Sequence, residues 1–214
     1  MSLALFDMDD TLFDHHRAVV HGVSGDNGRH LQGITGLSSP EEIEQFGMHD
    51  DGFKPFDLTG IPHMSKRIEI IRNQKGWWKN LSPLPVGFQL LAQCKQAGFD
   101  IKILTKGPSS KPFAWTEKVE CIQRCFGNGM PVDIVGGCKS GTWGRVLVDD
   151  YPGYIEKWLR HRKRGLVLMP VNPRNEGFSH PNLIKCSMDN LDEVRLAIDA
   201  AFKRENDQHW KDLL

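Results

Sequence analysis

Short apolar runs ending in polar residues alternate along most of this chain with helix-length amphipathic segments, and few folds accommodate that alternation. Leu3, Ala4, Leu5 and Phe6 open an apolar run over 3–8 that closes among acidic residues. A run this short and this apolar suits a strand buried on both faces. Val86, Leu90, Leu91 and Cys94 recur at helical spacing over 86–97, and Gly98 would stop that helix before FDIKIL at 99–104, a second buried strand ending at Thr105. The same pattern predicts a helix over 112–125, strands over 132–135 and 145–148, a helix over 153–162, a strand over 166–169 and a last helix over 191–204. Strands alternating with helices of this length predict an α/β domain, doubly wound, with a mostly parallel sheet.

The pattern fades between 15 and 82. Residues 21–62 are rich in Gly, His, Asp and Ser, with one brief helical candidate over 40–46, where Ser39 could cap and Pro40 open the helix. Met64, Ile68 and Ile71 give a clearer helix over 63–74, ended by Gly76 ahead of Trp77 and Trp78. This stretch is expected to be a small helical cap inserted after the first strand, over a core formed by 1–14 and 83–205, with 206–214 a loosely docked tail. A chain of 214 residues fits one principal domain with such an insertion.

Lys+Arg and Asp+Glu are 27 each, so no global basic field exists to grip nucleic acid. No stretch approaches the ~20 apolar residues of a membrane span, and Asp7, Asp9 and Asp10 interrupt the first apolar run before it could serve as a signal peptide. The expectation is a cytoplasmic protein without a membrane partner. The five cysteines are odd in number and lack CxxC pairing, so Cys121 and Cys125 read as packing residues of a helix.

In open α/β sheets the reactive crevice lies beyond the carboxyl ends of the strands. Those ends hold Asp7, Asp9, Asp10 and Thr11 after the first strand, Thr105, Lys106 and Gly107 after the second, and Asp149 and Asp150 after the fourth. Two carboxylate groups converging there would repel unless a cation joined them, and all-oxygen ligation suits Mg²⁺, which commonly binds substrate phosphate too.

Asp7-x-Asp9-x-Thr11, Thr105 closing an apolar strand, Lys118 in the next helix and Asp149-Asp150 after VLV together resemble the haloacid dehalogenase superfamily of phosphotransferases, whose core is a Rossmann-type sheet. A closer resemblance is to its deoxyribonucleotidase branch, the 5'(3')-nucleotidases with a small helical cap. GWWKNLSPLP at 76–85 resembles that branch's aromatic run, ILTKGP at 103–108 its phosphate loop, Glu117-Lys118 its Glu-Lys pair and Lys139-Ser140 its additional phosphate-contacting lysine. Lys106 stands where that branch has serine, and Asp10 where a glycine is common.

The resemblance implies a Mg²⁺-dependent phosphomonoester hydrolase acting on nucleoside or deoxynucleoside monophosphates, with a homodimer matching the branch. Asp7 would attack phosphorus, and Asp9 would protonate the leaving alkoxide and then activate water. Lys118 would keep Asp7 ionised and offset phosphate charge, and Thr105, Lys106 and Lys139 would also contact phosphate. Asp7, Asp9, Asp149 and Asp150 would hold the metal. Trp77, Trp78 and Phe13 are candidates for the substrate pocket; the tryptophans could stack on a nucleobase or pin cap to core, and a core role competes for Phe13.

Other readings stay open. Asp7 and Asp9 could be a turn cluster, and Thr105 and Asp149-Asp150 helix caps. A sugar phosphate or a nucleic-acid terminal phosphate could be the substrate, the latter needing the basic run at 160–164, which otherwise reads as a solvated helix end. A non-catalytic nucleotide-binding module is the remaining alternative. His15 and His16 are left outside the catalytic set.

Overall fold

The computed structural model describes residues 2–24 and 64–214. Among them run β1 (Leu3–Phe6), α1 (His15–Ser24), α2 (Met64–Arg72), α3 (Pro85–Ala97), β2 (Asp100–Lys106), α4 (Pro112–Phe126), β3 (Val132–Val135), β4 (Val146–Val148), α5 (Pro152–Arg160), β5 (Leu166–Pro170), β6 (Leu183–Cys186) and α6 (Leu191–Lys203), with single 3-10 turns at Trp78–Asn80, Lys139–Gly141 and Trp210–Leu213. The six strands form one sheet in the order β3-β2-β1-β4-β5-β6, and every neighbouring pair is parallel. This is the doubly wound α/β arrangement expected. Strand order reverses at β1, so the crevice of the switch point opens beyond β1, between the ends of β2 and β4.

Side-chain alternation decides which helix covers which face. Ala4, Phe6, Ile101, Ile103, Val146 and Val148 point to one side, where Leu90 and Cys94 of α3, Cys121 and Ile122 of α4, and Val194 and Ile198 of α6 close over them. Leu5, Leu104, Leu147, Val167 and Met169 point to the other, onto Ile155, Trp158 and Leu159 of α5. Three of these helices begin with proline, at Pro85, Pro112 and Pro152, whose missing N–H costs nothing in a first turn. α3 ends at Gly98, with φ 100°, whose N–H bonds to Cys94 and Lys95 carbonyls.

Four differences from expectation have local causes. β1 ends at Phe6 rather than 8, although the Asp7 N–H still bonds Val148 O at 2.8 Å. α1 begins at His15 because Asp14 accepts from Arg17 N–H at 2.8 Å and Asp10 from His16 N–H at 2.6 Å. β6 was not expected at all. Finally, the tail is docked firmly: Trp210 is 2% exposed within the core, and Arg145 donates to Asn206 Oδ1 at 2.9 Å. Of the basic run, Arg162 donates to Ser140 O and Thr142 O at 2.7 Å each, a clasp on the chain rather than a solvated charge. All five cysteines are free, and Cys121 is buried as expected of a packing residue. The helix expected over 40–46 lies outside the described residues. No helix among the described residues is long and apolar enough to cross a membrane.

Candidate active site

The turn after β1 carries the first acids. Leu12 and Phe13 N–H groups fold back onto Met8 O at 3.0 and 2.9 Å, and Asp10 takes φ 56°, a left-handed conformation that suits Asp, Asn or Gly. The loop is pressed onto α3 at Gly87, where an added Cβ would stand 2.0 Å from Thr11 O. With that turn fixed, Asp7 and Asp9 do not share a partner. Each has its own lysine.

Lys139, on the 3-10 turn, places Nζ 2.6 Å from Asp7 Oδ1 and 2.8 Å from Asp149 Oδ2, and it is 1% exposed. Lys118, on α4, places Nζ 2.5 Å from Asp9 Oδ2 and 3.0 Å from Thr105 Oγ1. This corrects the sequence expectation that Lys118 would serve Asp7: that ammonium is Lys139. The 3-10 turn delivers Lys139 between Asp7 and Asp149, whereas α4 delivers Lys118 between Asp9 and Thr105.

Asp7, Asp149 and Asp150 are all buried, and one carboxylate oxygen of each lies within 4.8 Å of the others. Burial pushes the Asp7 carboxyl up to about 7, against the pull of Lys139. Burial, then the charges of Asp10, Asp149 and Asp7, push Asp150 well above the carboxylate range, against Arg174. Three clustered acids with so little compensating charge fit a hard divalent cation, which would favour their ionised forms. Asp9's side chain stands outside this cluster, and its Oδ1 is buried without a hydrogen-bond partner.

Asn172, Arg174 and Tyr154, which sequence reasoning missed, complete the surroundings together with Thr11 and Asp10. Thr11 Oγ1 donates to Asp150 Oδ1 at 3.4 Å, while Asn172 Nδ2 and an Arg174 amino group donate to Asp150 Oδ2 at 3.0 Å each. Arg174 also bonds Asp10 Oδ2 at 2.7 Å. Against the upward pull of burial, His15 and Arg174 hold the Asp10 carboxyl well below its usual range. The Tyr154 ring lies 4.7 Å from Lys139 Nζ. Arg174 follows the end of β5, so the strand-end rule carried that far along the sheet would have pointed to it.

The substrate candidates divide. Phe13 is wholly buried between Phe88 and Phe126, at 5.8 and 6.5 Å between centroids, and its ring belongs to the core. Lys106 is exposed, and among the described residues no hydrogen bond or ion pair joins it to the acids. Trp77 and Trp78 pack edge to face at 4.8 Å, with His15 against both. Trp78 is 2% exposed, its Nε1 donates to Arg72 O at 3.1 Å, and Lys118 Nζ sits 4.9 Å from its ring. Glu117 fixes this corner by accepting from Gly76 N–H at 2.6 Å and Trp78 N–H at 3.2 Å.

No protein-family model and no curated protein matches the chain. Solved structures do. A haloacid dehalogenase-like family hydrolase from Xanthomonas campestris is 16% identical, with 94% of this chain and 93% of that one covered at a TM-score of 0.50. A haloacid dehalogenase-like hydrolase from Burkholderia xenovorans LB400 is 14% identical over 95% and 98%, at 0.51. A HAD phosphatase from Thermococcus onnurineus is 14% identical over 91% and 97%, at 0.50. At these identities the likeness is one of architecture, and in architecture this chain has the haloacid dehalogenase-like fold, with a buried aspartate cluster at its strand ends.

Proposed function

We propose that the protein is a Mg²⁺-dependent phosphomonoester hydrolase that works through a phosphorylated Asp7. The observation that carries the reading is the pairing of Asp7 and Asp9 with different lysines at the switch point of the sheet. Met8 N–H and Lys139 both occupy Asp7 Oδ1, at 2.7 and 2.6 Å, which leaves Oδ2 to attack phosphorus. As the Asp7–phosphorus bond forms, the bond to the leaving oxygen breaks and Asp9 gives that oxygen a proton. In the second step Asp9 takes a proton from water, which attacks the same phosphorus and frees inorganic phosphate and Asp7. Thr105 Oγ1 and Lys118 Nζ, 3.0 Å apart, are the donors for phosphoryl oxygens, and Lys118 must turn from Asp9 to serve there.

Asp7, Asp149 and Asp150 would hold Mg²⁺, which when bound supplies positive charge that offsets the repulsion between nucleophile and phosphate. Residues 15–82 remain the cap in this reading, over 1–14 and 83–205. Nucleoside and deoxynucleoside monophosphates are the proposed substrates, on the resemblance of the 76–85 run, and sugar phosphates are the second reading. The same resemblance implies a homodimer, which sedimentation velocity tests. Phosphate release is to be measured from nucleotides and sugar phosphates, with Mg²⁺ and with EDTA. Metal-dependent release confined to nucleotides supports the full reading, release from sugar phosphates alone keeps only the chemistry, and no release returns the chain to a binding role.

A further inference from the structure

Beside the acids, between α2 and the loop joining β2 to α4, lies a cavity of about 290 Å³, near the lower bound for small-ligand pockets. Arg72 and Lys111 line it together with Glu69, Trp78, Pro108 and Ser110. Two of these residues are cations and one is an anion. Lys111 is 8% exposed, and its Nζ pairs with Glu69 Oε1 at 3.3 Å. Arg72 has no such partner: among the described residues its guanidinium makes no hydrogen bond or ion pair, and its Nε is buried. Arg72 as a whole is half-buried, and drawing even part of a guanidinium out of water without an anion is costly. Burial accordingly pulls Arg72 below its usual pKa, the more distant Asp9 and Asp10 charges only partly opposing this.

The cavity is joined to the proposed chemistry through its Trp78 wall. Its Trp78 wall is 4.9 Å from Lys118 Nζ, and Lys118 is 2.5 Å from Asp9, the proposed proton donor to the leaving oxygen. Whatever departs from phosphorus leaves towards Asp9, and Lys118 and Trp78 join that side of the site to the cavity. A flat ring cannot lie freely on Trp78, whose surface is taken by Trp77, His15 and Lys118.

We propose that this cavity is the leaving-group subsite and that the leaving group it takes carries a second anion, a carboxylate or a phosphate, paired with Arg72 and Lys111. The proposal rests on the phosphomonoesterase reading for its orientation, and it moves the preferred substrate away from the nucleoside monophosphates proposed above, whose leaving group is neutral, to a phosphomonoester with a second anion: a nucleoside bisphosphate, a sugar bisphosphate or a phosphorylated hydroxy acid.

Two substrate pairs test it, each differing by one anion: ethylene glycol monophosphate against phosphoglycolate for the carboxylate arm, and adenosine 5'-monophosphate against adenosine 3',5'-bisphosphate for the phosphate arm. The expected result is a kcat/KM preference of roughly ten- to hundredfold for the charged member of at least one pair, the size of a charge-assisted hydrogen bond. The arm in which it occurs identifies the anion. Arg72→Gln, and separately Lys111→Gln on a different element, should bring the ratio towards one. No preference in either pair, or a preference unmoved by both substitutions, overturns the proposal. Calorimetric titration of Asp7→Asn protein with the same four compounds separates the two readings: tighter binding of the charged member without turnover in the unsubstituted protein retains the subsite and discards the hydrolase, and equal binding discards the subsite.

Discussion

The two sides of the acid cluster are built differently. Asp7, Asp149 and Asp150 are all buried, Lys139 bridges two of them, and Thr11, Asn172 and Arg174 hold the third. Around Asp9 fewer partners are in place among the described residues: its Oδ1 has no hydrogen-bond partner, its Oδ2 takes one lysine shared with Thr105, and Arg72 beyond has no ion pair. The first side is rigid and short of positive charge; the second has surplus cationic and donor capacity. A cation completes the one and an anionic ester the other, which is how a site can meet its substrate with little rearrangement on the metal side.

The largest effect should come from Asp7→Asn, which removes the nucleophile while leaving its place in the rigid side filled: turnover falls by about 10⁴-fold or more, as for other covalent nucleophiles. Phosphate release checks this, and an unchanged melting temperature shows that the loss is chemical. Lys139→Met should break the rigid side itself. Taking the only ammonium from between two buried acids leaves them uncompensated, at a cost of about 3–5 kcal/mol in urea unfolding. Added Mg²⁺ should recover part of that loss.

In the unsubstituted protein, Mg²⁺ at about 100 times its Kd should add about 2.7 kcal/mol of stability, and Asp150→Asn should shrink the gain, as read by thermal melting with and without EDTA. Gly87→Ala should disturb both sides equally, since its Cβ meets the Thr11 carbonyl of their common turn; overpacking of this kind costs about 1–3 kcal/mol. The smallest effect belongs to thiol chemistry next to Lys139. Cys138 is exposed, and hydrogen bonds with Ser140 hold its thiol below the usual pKa, whereas burial pushes Cys121 and Cys186 up to about 12. Iodoacetamide should therefore label Cys138 ahead of those two in a mass-spectrometric time course, with little change in melting temperature.

The alternation of apolar strands and amphipathic helices is readable because burial on both faces of a parallel sheet leaves few polar positions in its central strands. The acids at 7, 9, 149 and 150 followed from it, since the carboxyl ends of strands define the crevice. What escaped was set by local geometry rather than period. Which lysine reaches which acid depends on a three-residue turn at Lys139–Gly141, fixed by its hydrogen bonds. β6 is four residues, three half-buried and one buried, after a run of Asn, Pro and Gly, too short to register. Trp210 stands alone in a polar run, and its burial comes from tertiary packing onto the core. Arg72 ends an expected helix, where a basic residue is commonplace and its lack of a partner is invisible without neighbours.

The most direct test is to quench turnover with borohydride and sequence the peptides by mass spectrometry. A phosphorylated Asp7 is an acyl phosphate, which borohydride reduces to an alcohol. The account expects that reduction at Asp7, dependent on both substrate and Mg²⁺. Phosphate release with Asp7 left unreduced and another side chain carrying the label would contradict it.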